Sequence, residues 1–386
     1  MISIKLLAYP GAPGSLFRSG KEKLKKYFPE IEFQYYSPDT DIFVFLSGGS
    51  ESEAIEFIRP EKFYLLVAFD ENNSWASATE VKALLDQRNI PCLLADLHEQ
   101  DDRTLIDLFI RTKDRLQKLQ GQTLGQIGEV SKWLVASTIN PKLLKSKFGI
   151  RLKKISWEDV LDFRSLEPGL DFLEKYNAGS EPGVENASKV NEALHAIIQQ
   201  EELDAITVEC FSLVKKNSVT ACLSLSHLND LGVPAGCEGD LTSITGMMFV
   251  KALIGKIPWM ANIIKVWNDC ARFAHCTAAT NLLEGFKIET HYETGLGTAI
   301  AGRFLAKDVT VFRLNNTLNK AFIAEGVIIS THLRPHACRT QIEVGITKKA
   351  TDSLKNNPLG NHHLIIPGFH KKILEMACMA YGMEVI

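Results

Sequence analysis

Residues 63–95 read FYLLVAFDENNSWASATEVKALLDQRNIPCLLA, and their texture decides the fold class. Two short apolar runs, 63–69 and 91–95, bracket a segment over 76–87 with apolar positions at helical spacing. Short β-branched and aromatic runs separated by helices imply parallel strands joined by crossovers. The run at 42–46 repeats the unit upstream, so the first 120 residues are expected to form a doubly wound α/β sheet. The stretch 103–120 is an amphipathic helix, with Leu105, Leu108, Phe109, Leu116 and Leu119 on one side. The polar, glycine-containing stretch 120–126 then marks a boundary, giving a first domain of 1–122.

A second α/β unit follows over 123–257. Runs at 127–137 and 150–155 flank a helical stretch, and 157–163 begins another helix. Residues 167–186, with Pro168, Gly169, Gly179, Pro182 and Gly183, read as a loop or insertion. Beyond it come a helix at 190–200, a strand at 204–210, a helix at 219–229 and a strand at 233–237. The helix over 241–254 has Asp240 as its N-cap. From residue 257 strand-like runs at 257–264, 309–314, 320–330 and 341–346 follow one another with few helices between. A third domain over 258–386 is therefore expected to be a mostly antiparallel sheet or barrel, with a final helix at 368–381. The fold class is two doubly wound α/β domains followed by a mostly antiparallel β domain.

Composition narrows the function. The chain has 386 residues, 45% hydrophobic and 23% charged, with 43 basic and 46 acidic side chains and a formal net charge of −3. No strong field of either sign draws nucleic acid or an anionic membrane. No run approaches the roughly 18 apolar residues of a membrane span. The eight cysteines form no C-x-x-C pair and lie in apolar surroundings, which suits reduced thiols in a cytoplasmic protein.

In open α/β sheets ligands bind beyond the carboxyl ends of strands. Three such ends carry polar residues: Glu209, then Glu238 with Asp240 inside Ala-Gly-Cys-Glu-Gly-Asp, then Asn262. Gly236 and Gly239 leave room for a ligand beside Glu238, which has no evident structural purpose. Asp240 reads first as a helix cap, and Glu209 equally well as a proton carrier or half of an ion pair. Seven of ten histidines lie after residue 270. In the pair His362-His363, successive strand residues face opposite ways, so only one can enter a given site. Carboxylate oxygen with imidazole nitrogen suits a borderline divalent cation such as Mn²⁺. Gly48-Gly49 matches no phosphate-binding pattern and reads as a turn. Trp75 reads as ordinary packing, 294–298 as a turn between strands, and Cys237 and Cys276 as small buried fillers.

At these residues the chain resembles the L-fucose/L-arabinose isomerase family, in its shorter fucose isomerase-like branch. Gly236-Cys237-Glu238-Gly239-Asp240 is similar to the Gly-x-Glu-Gly-Asp and Cys-Glu-x-Asp motifs of that family. In the same order follow Pro258-Trp259-Met260-Ala261-Asn262, Ala274-His275-Cys276, the glycine-rich turn 295–300 and Gly360-Asn361-His362-His363. The similarity spans about residues 125–386. It implies an aldose–ketose isomerase acting on an open-chain sugar and dependent on Mn²⁺ or another divalent metal, with Glu238 as metal ligand and acid/base group. Asn262, His275, His362 and His363 are the further implied ligands, and trimers or hexamers the implied assembly. Where the family has a second acidic ligand this chain has Asn262, a neutral amide that takes no proton. That role then passes to Glu209 or Asp240, or the chemistry differs: a metal-dependent epimerase or aldol-type lyase, or a non-catalytic carbohydrate-binding protein.

Overall fold

The computed structural model describes residues 2–35, 37–176 and 183–386. Two compact units emerge: residues 1–117 with 375–384, and residues 118–374 with 385–386.

The first unit is a five-stranded sheet, in the order Phe33–Gln34, Ile2–Leu7, Ile42–Phe45, Tyr64–Ala68, Cys92–Asp96. Every pairing is parallel. Alternation along each strand feeds both faces. Ile4, Val44, Leu65 and Val67 pack with Phe109 and Ile110 of the helix Gln100–Leu116 on one side. Leu7, Phe43, Tyr64 and Leu66 pack with Val81 and Leu85 of the helix Ser74–Gln87 on the other. A strand buried on both faces must be apolar throughout, which is why residues 63–69 are an unbroken apolar run.

The second unit begins with another parallel sheet, ordered Arg151–Ile155, Thr123–Ile127, Ala205–Val208, Ala235–Cys237. It continues into an antiparallel barrel. Strands Trp259–Trp267, Cys270–His275, Thr340–Ile346, Lys320–Ser330, Asp308–Leu314 and His362–Pro367 pair in that order, and the last returns to the first. A separate hairpin, Leu283–Glu289 with Ala299–Phe304, holds the glycine-rich turn between its strands. The fold class is as the sequence implies. Inside the barrel Trp259, Ala261, Phe273, Val311, Phe322, Ile342 and Ile365 form one core.

The helix Leu241–Ile254 is buried almost all round and bridges the sheet and the barrel. A Cβ at Gly246 would stand 2.8 Å from Leu364 Cδ1, and Phe249 stacks on Phe312 with centroids 5.8 Å apart. This helix brings the carboxyl edge of the sheet to the start of the strand His362–Pro367.

Four local expectations are corrected. The strand expected over 127–137 ends at Ile127, because Gly128 turns (φ 76°) and the following loop gives its Ser131 N–H to the Glu238 carbonyl instead of to a ladder. No helix spans 157–163; turns there lead into a single 3₁₀ turn, Phe163–Ser165. The strand expected to reach residue 210 stops at Val208, and Cys210–Asn217 is a helix that sequence periodicity did not suggest. The loop expected over 167–186 contains a short helix, Leu170–Lys175, and the start of another, Val184–Gln200; residues 177–182, with Gly179 and Pro182, lie outside the described residues.

Candidate metal centre

Glu238 follows the strand Ala235–Cys237 with φ at 61°, the left-handed region. An L-residue there costs roughly 1–2 kcal/mol, so the neighbours must hold it. Ser131 does so through its N–H, 2.9 Å from the Glu238 carbonyl oxygen. Gly239 (φ 68°) is obligatory, because a Cβ at that position would lie 2.5 Å from the Glu129 carbonyl oxygen. The turn aims the Glu238 carboxylate inward. Its Oε2 accepts the Trp133 indole N–H at 2.5 Å, and its Oε1 lies 3.6 Å from His362 Nε2. At that separation the second pair is a charge contact rather than a hydrogen bond.

Asp240, fully buried, has two tasks. Its Oδ1 accepts the Ser243 N–H at 2.8 Å, capping the helix Leu241–Ile254, and its Oδ2 lies 2.9 Å from His362 Nδ1. An imidazole that donates through Nδ1 to a carboxylate keeps Nε2 as its ligating nitrogen. His362 Nε2 is buried with no hydrogen-bond partner, and it faces Glu238. His275 completes the group. Its Nδ1 is 2.9 Å from Thr277 Oγ1, and its ring meets that of His362 edge-on at 5.3 Å between centroids.

Ligating atoms of Glu238, His275 and His362 all lie within 4.8 Å of one another. Ligands about 2.0–2.2 Å from one Zn²⁺-sized cation stand no more than roughly 4.4 Å apart, so small side-chain adjustments close the set. One carboxylate and two imidazoles, one of them with its buried Nε2 lacking a hydrogen-bond partner, fit a divalent ion with coordination positions left open.

Protonation follows from the same contacts. Burial alone would raise the Glu238 carboxyl, but the His362 and His275 imidazoles and the Trp133 N–H outweigh it and hold it at about 2. Asp240 is likewise depressed despite its burial, by His362 and the buried Arg313 guanidinium. Burial opposes the charge on His362, yet the two carboxylates raise it to about 9. His275 goes the other way, lowered to about 3 by burial and by the His362 charge. Glu293 is raised, first by desolvation and then by the Glu238 charge.

The other residues singled out from sequence lie elsewhere. Glu209 caps the helix Cys210–Asn217, its oxygens 3.2 Å from the Ser212 N–H. Asn262 shares register with His362, but its Oδ1 accepts from the Asn361 amide. His363 faces the opposite way, into the barrel, with Phe273 and Phe322 each 5.8 Å from its ring and its Nδ1 2.9 Å from the Asn361 carbonyl. Pleat alternation thus gives the centre His362 and the core His363. Sequence reasoning missed Trp133, Glu293 and Arg313. None sits in a motif, and Trp133 arrives from a loop whose sequence reads as strand. A cavity of about 780 Å³ runs along the carboxyl edges of the parallel strands, with Trp133, Trp157, Glu209 and Phe211 in its wall; Trp133, which donates to Glu238, is what joins it to the centre.

Among the described residues no helix is long and apolar enough to cross a membrane. No protein-family model matches the chain. Sulfoquinovose isomerases of Priestia aryabhattai and Priestia megaterium (strain ATCC 12872 / QMB1551) are each 24% identical to it over 276 residues, 66% of this chain and 61% of theirs. The sulfoquinovose isomerase of Alkalicoccus urumqiensis is 24% identical over 227 residues, 54% of this chain and 51% of its own. The chain matches about three fifths or less of the length of these relatives, and its similarity is to sugar isomerases.

Proposed function

We propose that the chain is a metal-dependent aldose–ketose isomerase acting on an open-chain sugar. The observation that carries this reading is the convergence of Glu238, His275 and His362, with the Nε2 of His362 left without a hydrogen-bond partner. Similarity to sulfoquinovose isomerases supports the reaction class, and sulfoquinovose is the first sugar to try.

The chemical problem is to move a proton between adjacent carbons of a hydroxy-carbonyl. A divalent cation such as Mn²⁺, bound by Glu238, His275 and His362, would acidify that C–H and stabilise the negative charge that develops on oxygen. Asp240 fixes the His362 ring and its tautomer. Trp133 holds one oxygen of Glu238 by its N–H, so the carboxylate cannot turn away. Beside Glu238, moving the proton takes a second carboxyl that is not already engaged. Asn262 takes no proton, Glu209 is engaged as a helix cap, and Asp240 is saturated by Ser243, Thr242 and His362. We assign the step to Glu238 with Glu293, whose environments push their affinities for a proton apart, the pattern of an acid/base pair. The cavity walled by Trp133 and Trp157 suits the sugar's apolar C–H face. We also propose assembly into trimers or hexamers, testable by light scattering.

The test is incubation with sulfoquinovose and a panel of aldoses in D₂O with and without Mn²⁺, followed by NMR. Expected are the corresponding ketose and deuterium at the adjacent carbon, both lost in Glu238→Gln. An epimer or a cleaved product would indicate the related sugar chemistries instead. Unchanged turnover in Glu238→Gln would remove that residue from the mechanism.

A further inference from the structure

Two buried cysteines adjoin residues of the candidate centre, Cys237 before Glu238 and Cys276 after His275, and three more buried cysteines lie against them. Cys222, Cys276 and Cys338 share one small apolar cluster, while Cys210 and Cys237 face each other with their sulfurs 3.3 Å apart. The Cys210/Cys237 pair is placed by the framework itself. Cys237 ends the strand Ala235–Cys237 and is the register partner of Val208; Cys210 opens the helix two residues beyond Val208. Neither thiol has a role in the chemistry above. Each is almost fully buried, 3% and 4% exposed. Bonded sulfurs stand about 2.05 Å apart, so closure from 3.3 Å requires a movement of roughly 1.3 Å, shared between the two side chains and the backbone that carries Cys237.

We propose that Cys210 and Cys237 form a reversible disulfide that switches the Glu238 turn. Cys237 is peptide-bonded to Glu238, the residue held in left-handed geometry by Ser131. Drawing the Cys237 sulfur toward Cys210 re-aims that peptide unit, and with it the carboxylate and the Trp133 indole bonded to it. The oxidant is hydrogen peroxide arriving through the 780 Å³ cavity, whose wall includes Glu209 and Phe211, the residues on either side of Cys210. Its O–O bond breaks as one sulfur becomes a sulfenic acid and one water leaves. The second thiol attacks that sulfur, forming the S–S bond and releasing a second water. Two thiols and one peroxide give one disulfide and two waters, and a dithiol reductant reverses the net change.

The cross-link stands independently of the isomerase reading; its effect on turnover rests on that reading. The test treats the full chain with graded hydrogen peroxide, blocks free thiols and maps the digest by mass spectrometry. Expected are a Cys210–Cys237 linked peptide, its disappearance with dithiothreitol, and a parallel change in the emission assigned to Trp133 by subtraction of Trp133→Phe. Cys210→Ala should keep its unoxidised turnover and Trp133 emission and resist peroxide; Cys237→Ser serves if that variant does not fold. Wild-type turnover should be lost on oxidation and restored on reduction. The proposal is overturned if both thiols remain free while Cys276 and Cys338 oxidise, or if the link forms with Trp133 emission unchanged. A protein with no turnover before oxidation defeats the isomerase reading, and the peptide map and Trp133 emission still decide this one.

Discussion

Asp240→Asn removes one charge from a fully buried ion pair and keeps its shape. The amide oxygen can still cap Ser243, so the helix Leu241–Ile254 should form. What changes is His362, which stands at about 9 against an ordinary value near 6.5. At about 1.4 kcal/mol per pKa unit, that difference is on the order of 3 kcal/mol of preference for the imidazolium, contributed by Asp240 and Glu238 together. The raised pKa makes this stability fully present below about pH 6.5 and lost as pH rises through about 9. The cation-free wild type should therefore lose up to ~3 kcal/mol between about pH 6 and pH 10 from this group alone. Asp240→Asn should lose roughly half of that or less, since Glu238, at 3.6 Å, is the remaining partner. Urea unfolding of both proteins in EDTA across this range measures the difference. The gap between them should be widest near pH 6 and narrow toward pH 10. A gap that stays constant with pH would show that Asp240 acts on His362 only as a spacer. Mn²⁺ affinity, measured by calorimetry, should fall about 10–100-fold in the variant, the usual cost of losing a carboxylate behind a ligating histidine.

Other perturbations separate roles that the sequence leaves together. His362→Ala should abolish the Mn²⁺-induced rise in melting temperature, whereas His363→Ala should keep that rise and lower the baseline by ~2 kcal/mol or more for the cavity left in the barrel. Equal loss of metal binding in both would contradict the opposite facing of the two rings. Gly239→Ala should destabilise by at least ~2 kcal/mol, from the left-handed backbone and the collision with the Glu129 carbonyl, read by urea midpoint. Glu293→Gln should lower kcat with little change in KM; an unchanged kcat would return the second proton-handling role to Glu238 alone.

Several features were legible in residue order because local physics dictates them. Runs such as 63–69 must be apolar in strands buried on both faces, so the doubly wound sheet announces itself. Glu238 between Gly236 and Gly239 is a motif that helix or strand propensity does not explain, and Asp240 reads as a cap because its side chain serves the N–H three residues on. Pleat alternation even states that only one of His362 and His363 can enter a site.

Which one, and what it meets there, depended on tertiary structure. The barrel closes between His362–Pro367 and Trp259–Trp267, and its interior takes the face carrying His363, Ala261 and Ile365. Only then is His362 turned toward Asp240 and Glu238, more than a hundred residues earlier in the chain. Trp133 was invisible for the same reason: its loop is shaped by a hydrogen bond to Glu238, not by its own sequence. Periodicity records which residues share a face. Which faces meet is settled by how the sheet, the buried helix Leu241–Ile254 and the barrel exclude water together, and no local stretch of the chain carries that information.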